Sequence, residues 1–408
     1  MPDLTLPLRR NRDFVLLQAG QLLSTAGTQT TTIAYPLLVL AVSHSAAQAG
    51  LVAFARLTPY GLFGLLAGVA ADRWNRKRVM IAADAVRAVA IACLAVAVVA
   101  GDVSVWAILV VAFVEGTGST VFAAAQAGAL RAVVPAEQLA DAAGAQEARR
   151  AIVQLGGPPL GGALFGLGRA VPFFFDAVSY GFSTLSLLAM RAPFQEPRDR
   201  EVSRLRTQIA DGIRFLWREP FLRTCALLYG IGNFIAPGML LAIVVVGEAQ
   251  GLSGGAIGLL TAVLGGALLV GALASPLARR TFSIRQILLL EFWTWSAAWA
   301  FVIWPNVYVL TAAIVPFGLA APVTDSVVVG YRVALTPDRL LGRVESVRSS
   351  ISLLVAPLGP LVAGLLLDST SARVMVGCFA LVGLALALWG TLSPAIRAAP
   401  TLAQLHSA

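Results

Sequence analysis

Two stretches of nearly pure hydrocarbon side chains are separated by a run from Gly68 through Asp72, Arg73, Asn75, Arg76 and Lys77 to Arg78. No lipid-facing helix could carry that run, because a charged residue at the bilayer centre costs roughly 2.5–3.5 kcal/mol on insertion scales. The segment is therefore expected as a tight loop at a water interface. Its flanks, 46–71 and 79–100, each meet the requirement of about 20 apolar residues for a membrane helix.

Composition extends this reading to the whole chain of 408 residues. It is 58% hydrophobic and 12% charged, with a mean hydropathy of +0.81, and a soluble domain with a polar exterior does not have such values. Continuous apolar runs predict twelve spans, near 14–41, 46–71, 79–100, 103–129, 146–167 and 171–190, then 221–247, 253–278, 284–304, 306–329, 346–367 and 373–393. The fold class is all-α integral membrane, with domains at 1–190 (a six-helix bundle), 191–220 (a cytoplasmic amphipathic linker) and 221–408 (a second six-helix bundle). In the linker region Val202, Leu205, Ile209, Ile213 and Leu216 share one helical face, which suits a helix lying in the headgroup layer, although a soluble connector helix has the same pattern. Cys93, Cys225 and Cys378 fall in apolar spans without metal or disulfide spacing and are expected as small buried hydrophobes. The first apolar stretch is too long for a signal peptide and is expected to stay as an anchor.

The net charge of +9 has a topological use. Of the 30 Lys and Arg residues, Arg169 and Arg373 fall in loops on one side and Arg56 and Arg87 inside spans; the others collect in tails and loops on the opposite side. That asymmetry places both termini in the cytoplasm of a multi-pass bacterial inner-membrane protein. The basic loops face anionic lipid rather than nucleic acid. The halves also repeat: Pro135 and Pro158 are spaced as Pro337 and Pro360, and the same displacement carries Gly162 to Gly364. Parallel six-helix repeats suit alternating access around a midplane site.

The 68–78 run resembles the signature loop between helices 2 and 3 of the major facilitator superfamily, with Gly68, Asp72, Arg73, Arg76 and Lys77 matching and Asn75 in place of a glycine. Asparagine is the commonest non-glycine residue to accept left-handed backbone angles. The resemblance implies a cytoplasmic latch in which Asp72 faces a helix N-terminus of the other half. Gly144, Gly157, Pro158, Gly161 and Gly162 look like the antiporter motif of helix 5, with Val153 where a glycine is expected, and imply export by exchange. Further stretches, including 57–60, 80–87, 135–139 and 211–217, are similar to the drug/proton antiporter branch that holds macrolide efflux proteins and the enterobactin exporter.

Proton coupling would use carboxylates, since His44 and His406 lie outside the spans. Glu115 and Asp325 lie well inside spans and are the candidates, because a low-dielectric surrounding favours the neutral acid and lets it load and unload. Each can equally be a neutral or arginine-paired structural acid, with Arg56 or Arg87 as partner. Asp84 and Arg87 are expected as a structural pair, and Asp176 and Glu291 as interfacial. Gln18, Gln21, Thr25, Gln29 and Thr32 on helix 1, and Asn233 on helix 7, are candidates for a substrate cavity or for helix-packing hydrogen bonds. Trp293, Trp295, Trp299 and Trp304 read as interfacial anchors.

These features predict a secondary efflux transporter, not an enzyme. It would export hydrophobic or amphiphilic compounds by proton antiport as a monomer, with no metal and no cofactor beyond the proton gradient. A dedicated exporter of a siderophore or other self-made metabolite is the alternative, and a non-transporting receptor a more distant one. No P-loop, nucleophile elbow or HExxH sequence occurs.

Overall fold

A computed structural model describes residues 7–192, 194 and 205–398, with the side chains of residues 72, 127, 131, 136, 205–209, 338 and 339 outside the description. All regular structure among the described residues is helical. The first six rods are α1 (Arg12–Ser43), α2 (Ala46–Arg73), α3 (Arg76–Ala100), α4 (Val105–Val133), α5 (Leu139–Leu167) and α6 (Val171–Ala189). Their starts follow local chemistry: the side chains of Asn11, Ser45, Asn75 and Ser104 each accept a backbone N–H from the first turn of α1, α2, α3 and α4, satisfying donors that a helix leaves orphaned. Asn75 needs no left-handed backbone: its φ of −62° and ψ of 112° are extended, and its oxygen takes the Arg78 N–H. The residue is used for its side-chain acceptor rather than for conformational tolerance.

The linker contains α7 (Leu205–Arg218), and the chain continues through α8 (Pro220–Gly232), α9 (Ile235–Ala249), α10 (Gly254–Thr281), α11 (Ile284–Thr294), a 3-10 turn at Trp295–Ala298, α12 (Trp299–Ile303), α13 (Val307–Leu335), α14 (Asp338–Val355), α15 (Leu358–Ser369), α16 (Ala372–Leu392) and α17 (Pro394–Arg397). Three of the later spans are broken rods, α8 with α9, α11 with α12 across the 3-10 turn, and α14 with α15. Pro237 cannot bond back to Asn233, and α8 gives way to α9 there. Pro360 cannot bond back to Ala356, and α14 gives way to α15.

Among the described residues, ten helical stretches are long and apolar enough to cross a membrane. The rods α1 and α5 are as long but more polar: α1 carries Gln18, Gln21, Gln29 and its threonines, and α5 opens with Asp141, Glu147, Arg149 and Arg150.

The chain divides into two compact units, Met1–Arg200 with Gly251–Ala262, and Glu201–Gln250 with Val263–Ala408. In the first, α1 lies against α2, α5 and α6, while α4 lies against α2 and α3. In the second, α11 packs on α13, α9 on α15, and α7 on α14. The linker helix α7 buries Gly212 and Leu216, one turn apart, and Asp211 pairs with Arg343 at 2.7 Å. Of the stripe read in the sequence, Leu216 is buried and Ile213 exposed, while Val202 and the side chains of Leu205 and Ile209 lie outside the described residues.

Two further expectations change. Trp295 is 1% exposed. It packs 4.4 Å from Phe317 and enters space left by Gly383, because the 3-10 turn rotates it inward while Trp293 and Trp304 stay exposed. Cys93 is exposed on the apolar outer face of α3 rather than buried.

Candidate functional site: a buried ion network in the first unit

Polar groups in apolar surroundings must partner one another, and in the first unit they do so around two arginines. Arg56 on α2 meets Glu115 on α4 through one edge of its guanidinium, Nε donating to Oε2 at 3.1 Å and Nη2 to Oε1 at 2.8 Å. The remaining donors cross to α1: Nη1 to Thr32 Oγ1 at 2.9 Å, and Nη2 to the Thr28 carbonyl at 2.9 Å and Thr31 Oγ1 at 3.2 Å. The spacing of Thr28, Thr31 and Thr32 puts all three on one helical face. Gly116 brings α4 against α2, since a Cβ there would meet the Arg56 carbonyl.

Arg87 on α3 forms the second node. It pairs with Asp84 one turn earlier and donates Nη1 to Ser119 Oγ at 3.1 Å. Its guanidinium lies 4.2 Å from the Tyr180 ring centre and 5.0 Å from that of Phe122, distances that suit a cation–π contact. Gly118 leaves room for its stem. Tyr180 joins the nodes, with its hydroxyl 2.8 Å from Thr28 Oγ1 and donating to Glu115 Oε1 at 3.5 Å.

Asp176 on α6 completes the cluster. It is wholly buried among the helices, because it faces α1 at Gly27, whose missing Cβ makes the space it occupies. Asp84 is equally buried, Glu115 is 1% exposed and Arg87 4%. Removing one partner from such a pair strands the other charge, at a cost of about 3–5 kcal/mol. The network therefore ties α1, α2, α3, α4 and α6 together and holds carboxyls that can exchange arginine partners. Of the two sequence readings of Glu115, the geometry is the arginine-paired one, with Arg56. Tyr180 and Thr31 were missed in the sequence. The signal available was charge bookkeeping, since Arg56 and Arg87 inside spans need acids.

Asp325, the other proton candidate, is exposed on α13. It lines a cavity of about 20 Å³ with Tyr229, Arg332 and Arg348. Glu345 occupies both arginines, at 2.5 Å and 2.7 Å. Glu291 is half-buried on α11.

The substrate-cavity candidates separate. Gln29 lies beside the network, its Oε1 accepting from Thr32 Oγ1 at 3.4 Å. Gln18 accepts from Arg149 Nη1 at 2.6 Å. Gln21 is buried, and its carbonyl takes the Thr25 hydroxyl at 2.6 Å. Asn233 is exposed at the α8–α9 break, donating to the Tyr229 carbonyl at 2.9 Å.

The two glycine-bearing motifs are also placed. A Cβ on Gly157 would meet Gln29, one on Gly161 the Thr30 backbone, and one on Gly162 the Gly254 carbonyl, while Gly258 faces the Pro158 carbonyl. Thus α5 is in backbone contact with α1 and with the start of α10, as small-residue packing permits. Gly144 is exposed and has no such neighbour. In the 68–78 turn, Lys77 donates to the Met190 carbonyl at 2.7 Å at the C-terminus of α6, where a cation is favoured. Arg76 lies on Gly128, Arg73 is exposed, and Gly68 has open space. The Asp72 side chain lies outside the described residues.

Comparison with known proteins agrees with this architecture. The chain is 28% identical over 407 residues to the multidrug efflux pump Tap of Mycolicibacterium fortuitum, covering 94% of this chain and 95% of the pump. It is 27% identical over 152 residues to macrolide efflux protein A of Streptococcus pyogenes, covering 37% and 38% of the two chains. A solved bacterial homologue of the iron transporter ferroportin, in an inward-facing state, superposes with a TM-score of 0.75 at 18% identity, covering 95% of this chain and 99% of that one. At that identity the likeness concerns the fold. The model of the Major Facilitator Superfamily matches residues 18–290, most of the chain, and this multi-pass membrane protein belongs to that superfamily of transporters.

Proposed function

We propose that this chain is a secondary active exporter, seated in the inner membrane, that moves hydrophobic or amphiphilic compounds outward in exchange for protons. The observation that carries the reading is the end-to-end similarity to a multidrug efflux pump. The Arg56–Glu115 network supports its coupling half. A carboxyl that gains a proton gives up its claim on an arginine, and Arg56, already shared among Glu115, Thr28, Thr31 and Thr32, then redistributes its bonds and the packing of α1, α2 and α4. Glu115 and Asp325 are the proposed coupling acids, and Gln29, next to Thr32, is a point where a solute would sense the change. The proposed latch role of Asp72 predicts that Asp72→Asn changes cysteine accessibility; an unchanged labelling pattern would remove it.

The test is accumulation of a radiolabelled macrolide and a lipophilic cationic dye by inside-out vesicles. We expect uptake on imposing an interior-acid gradient and its loss on adding an uncoupler. Uptake that continues at full rate after every ion gradient has collapsed would overturn the reading.

A further inference from the structure

The charges of the buried network do not balance in pairs. Arg56 is matched by Glu115 and Arg87 by Asp84, which leaves Asp176 as a buried carboxyl with no arginine of its own. Its donors are no better supplied. Thr31 Oγ1 lies 3.3 Å from Asp176 Oδ2, but the same hydroxyl is 2.9 Å from the Thr28 carbonyl. Ser179 Oγ lies 3.3 Å from Oδ1, but 2.7 Å from the Asp176 carbonyl. A hydroxyl has one proton to give, and in both cases the nearer acceptor is a backbone oxygen. A carboxylate at this position would thus be buried without an ion-pair partner and without a committed donor. A carboxylic acid fits instead, because its own O–H can donate to Thr31 Oγ1 or Ser179 Oγ.

From α1 the carboxyl faces Thr31 and Tyr35, whose hydroxyl is buried without a hydrogen-bond partner. The charges that act on it from α2, α3 and α4 are Arg56, Arg87 and Glu115. Its own helix adds Ser179 and Tyr180, and α5 has no titratable side chain from Pro158 to Leu167.

We infer that Asp176 is a second proton-binding site of the first unit beside the coupling acid Glu115, holding a proton in this state while Glu115 and Asp84 are ionised against their arginines. Loss of that proton places a third negative charge between two arginines already in use. Thr31, which touches both Arg56 Nη2 and Asp176, is the link through which Arg56 would be drawn from Glu115. The role assigned here rests on the proposed antiport, but the location of the proton does not.

The experiment has two arms on the purified full chain. Infrared spectra at neutral pH should contain the carbonyl stretch of a protonated carboxylic acid, with one component absent in Asp176→Asn, shifted in Asp176→Glu and retained in Asp325→Asn. A carbonyl region unchanged in Asp176→Asn overturns the inference. Should that variant fail to fold, an unshifted band in Asp176→Glu does so. In reconstituted vesicles Asp176→Asn should lose gradient-driven dye accumulation, down to the level of protein-free vesicles, while still binding the dye. Wild-type protein that ignores the gradient would sink the antiport reading, and the infrared arm would still decide where the proton sits.

Discussion

Arg56 and Glu115 of the first unit meet at 2.8 Å with 1% of the Glu115 side chain exposed, whereas Arg332, Glu345 and Arg348 of the second meet at 2.5 and 2.7 Å with 38% of Glu345 exposed. Distances alone would rank the two clusters as equals; burial separates them. In the first unit water cannot replace a lost partner, so the acid–base match is a condition of folding and any proton gained or lost must be answered by rearrangement. In the second, solvent shares the load and the same bonds stabilise little. The repeat that carries Pro158 to Pro360 carries Asp176 to Cys378, so the halves share a backbone plan without sharing the buried chemistry.

The proline pattern differs in the same sense. Helix α5 runs unbroken through Pro158 and Pro159, where Gly157, Gly161 and Gly162 let α1 and the start of α10 approach its backbone. At the related position, Pro357 and Pro360 coincide with the break between α14 and α15. Close packing on both sides holds the first rod helical despite its missing hydrogen bonds.

The contrast is most exposed by charge removal. Arg56→Leu should destabilise the purified protein by about 3–5 kcal/mol, read as earlier thermal unfolding, and Arg56→Leu with Glu115→Leu should recover part of that loss. Arg348→Leu should cost under about 1 kcal/mol. Equal losses for the two arginines would dissolve the distinction. Packing gives the next effect: Gly161→Val drives a side chain into the Thr30 backbone and should cost about 1–3 kcal/mol. Gly144→Ala, in open space, should leave both stability and export unchanged. A smaller loss, about 0.3–1 kcal/mol, is expected for Lys77→Met, which removes the cation from the C-terminus of α6. The smallest is Asp325→Asn, whose unfolding should stay within about 0.5 kcal/mol of wild type. A large shift there would show a buried role that the exposed side chain does not suggest.

The apolar runs and the charged turn within 68–78 were legible as sequence because each depends on neighbours within a few positions, whereas the capping use of Asn75 was not. The acids were visible too, but their ranking was not. Asp176, in the second turn of α6, lies near a span end along the chain, and what buries it among the helices is Gly27, far away in sequence. Trp295 looked like its neighbours Trp293 and Trp304 until a short 3-10 turn and the gap at Gly383 brought it inside.

Hydropathy thus determined that this chain is a set of membrane helices, since solvent transfer is counted residue by residue, and the motifs at 68–78 and in helix 5 carried the resemblance to the major facilitator type. Which carboxyl has an arginine, which hydroxyl has a proton to spare, and which glycine makes room for them were decided only when five helices came together. Coulomb attraction and hydrogen bonding act over a few ångströms in space and take no account of distance along the chain.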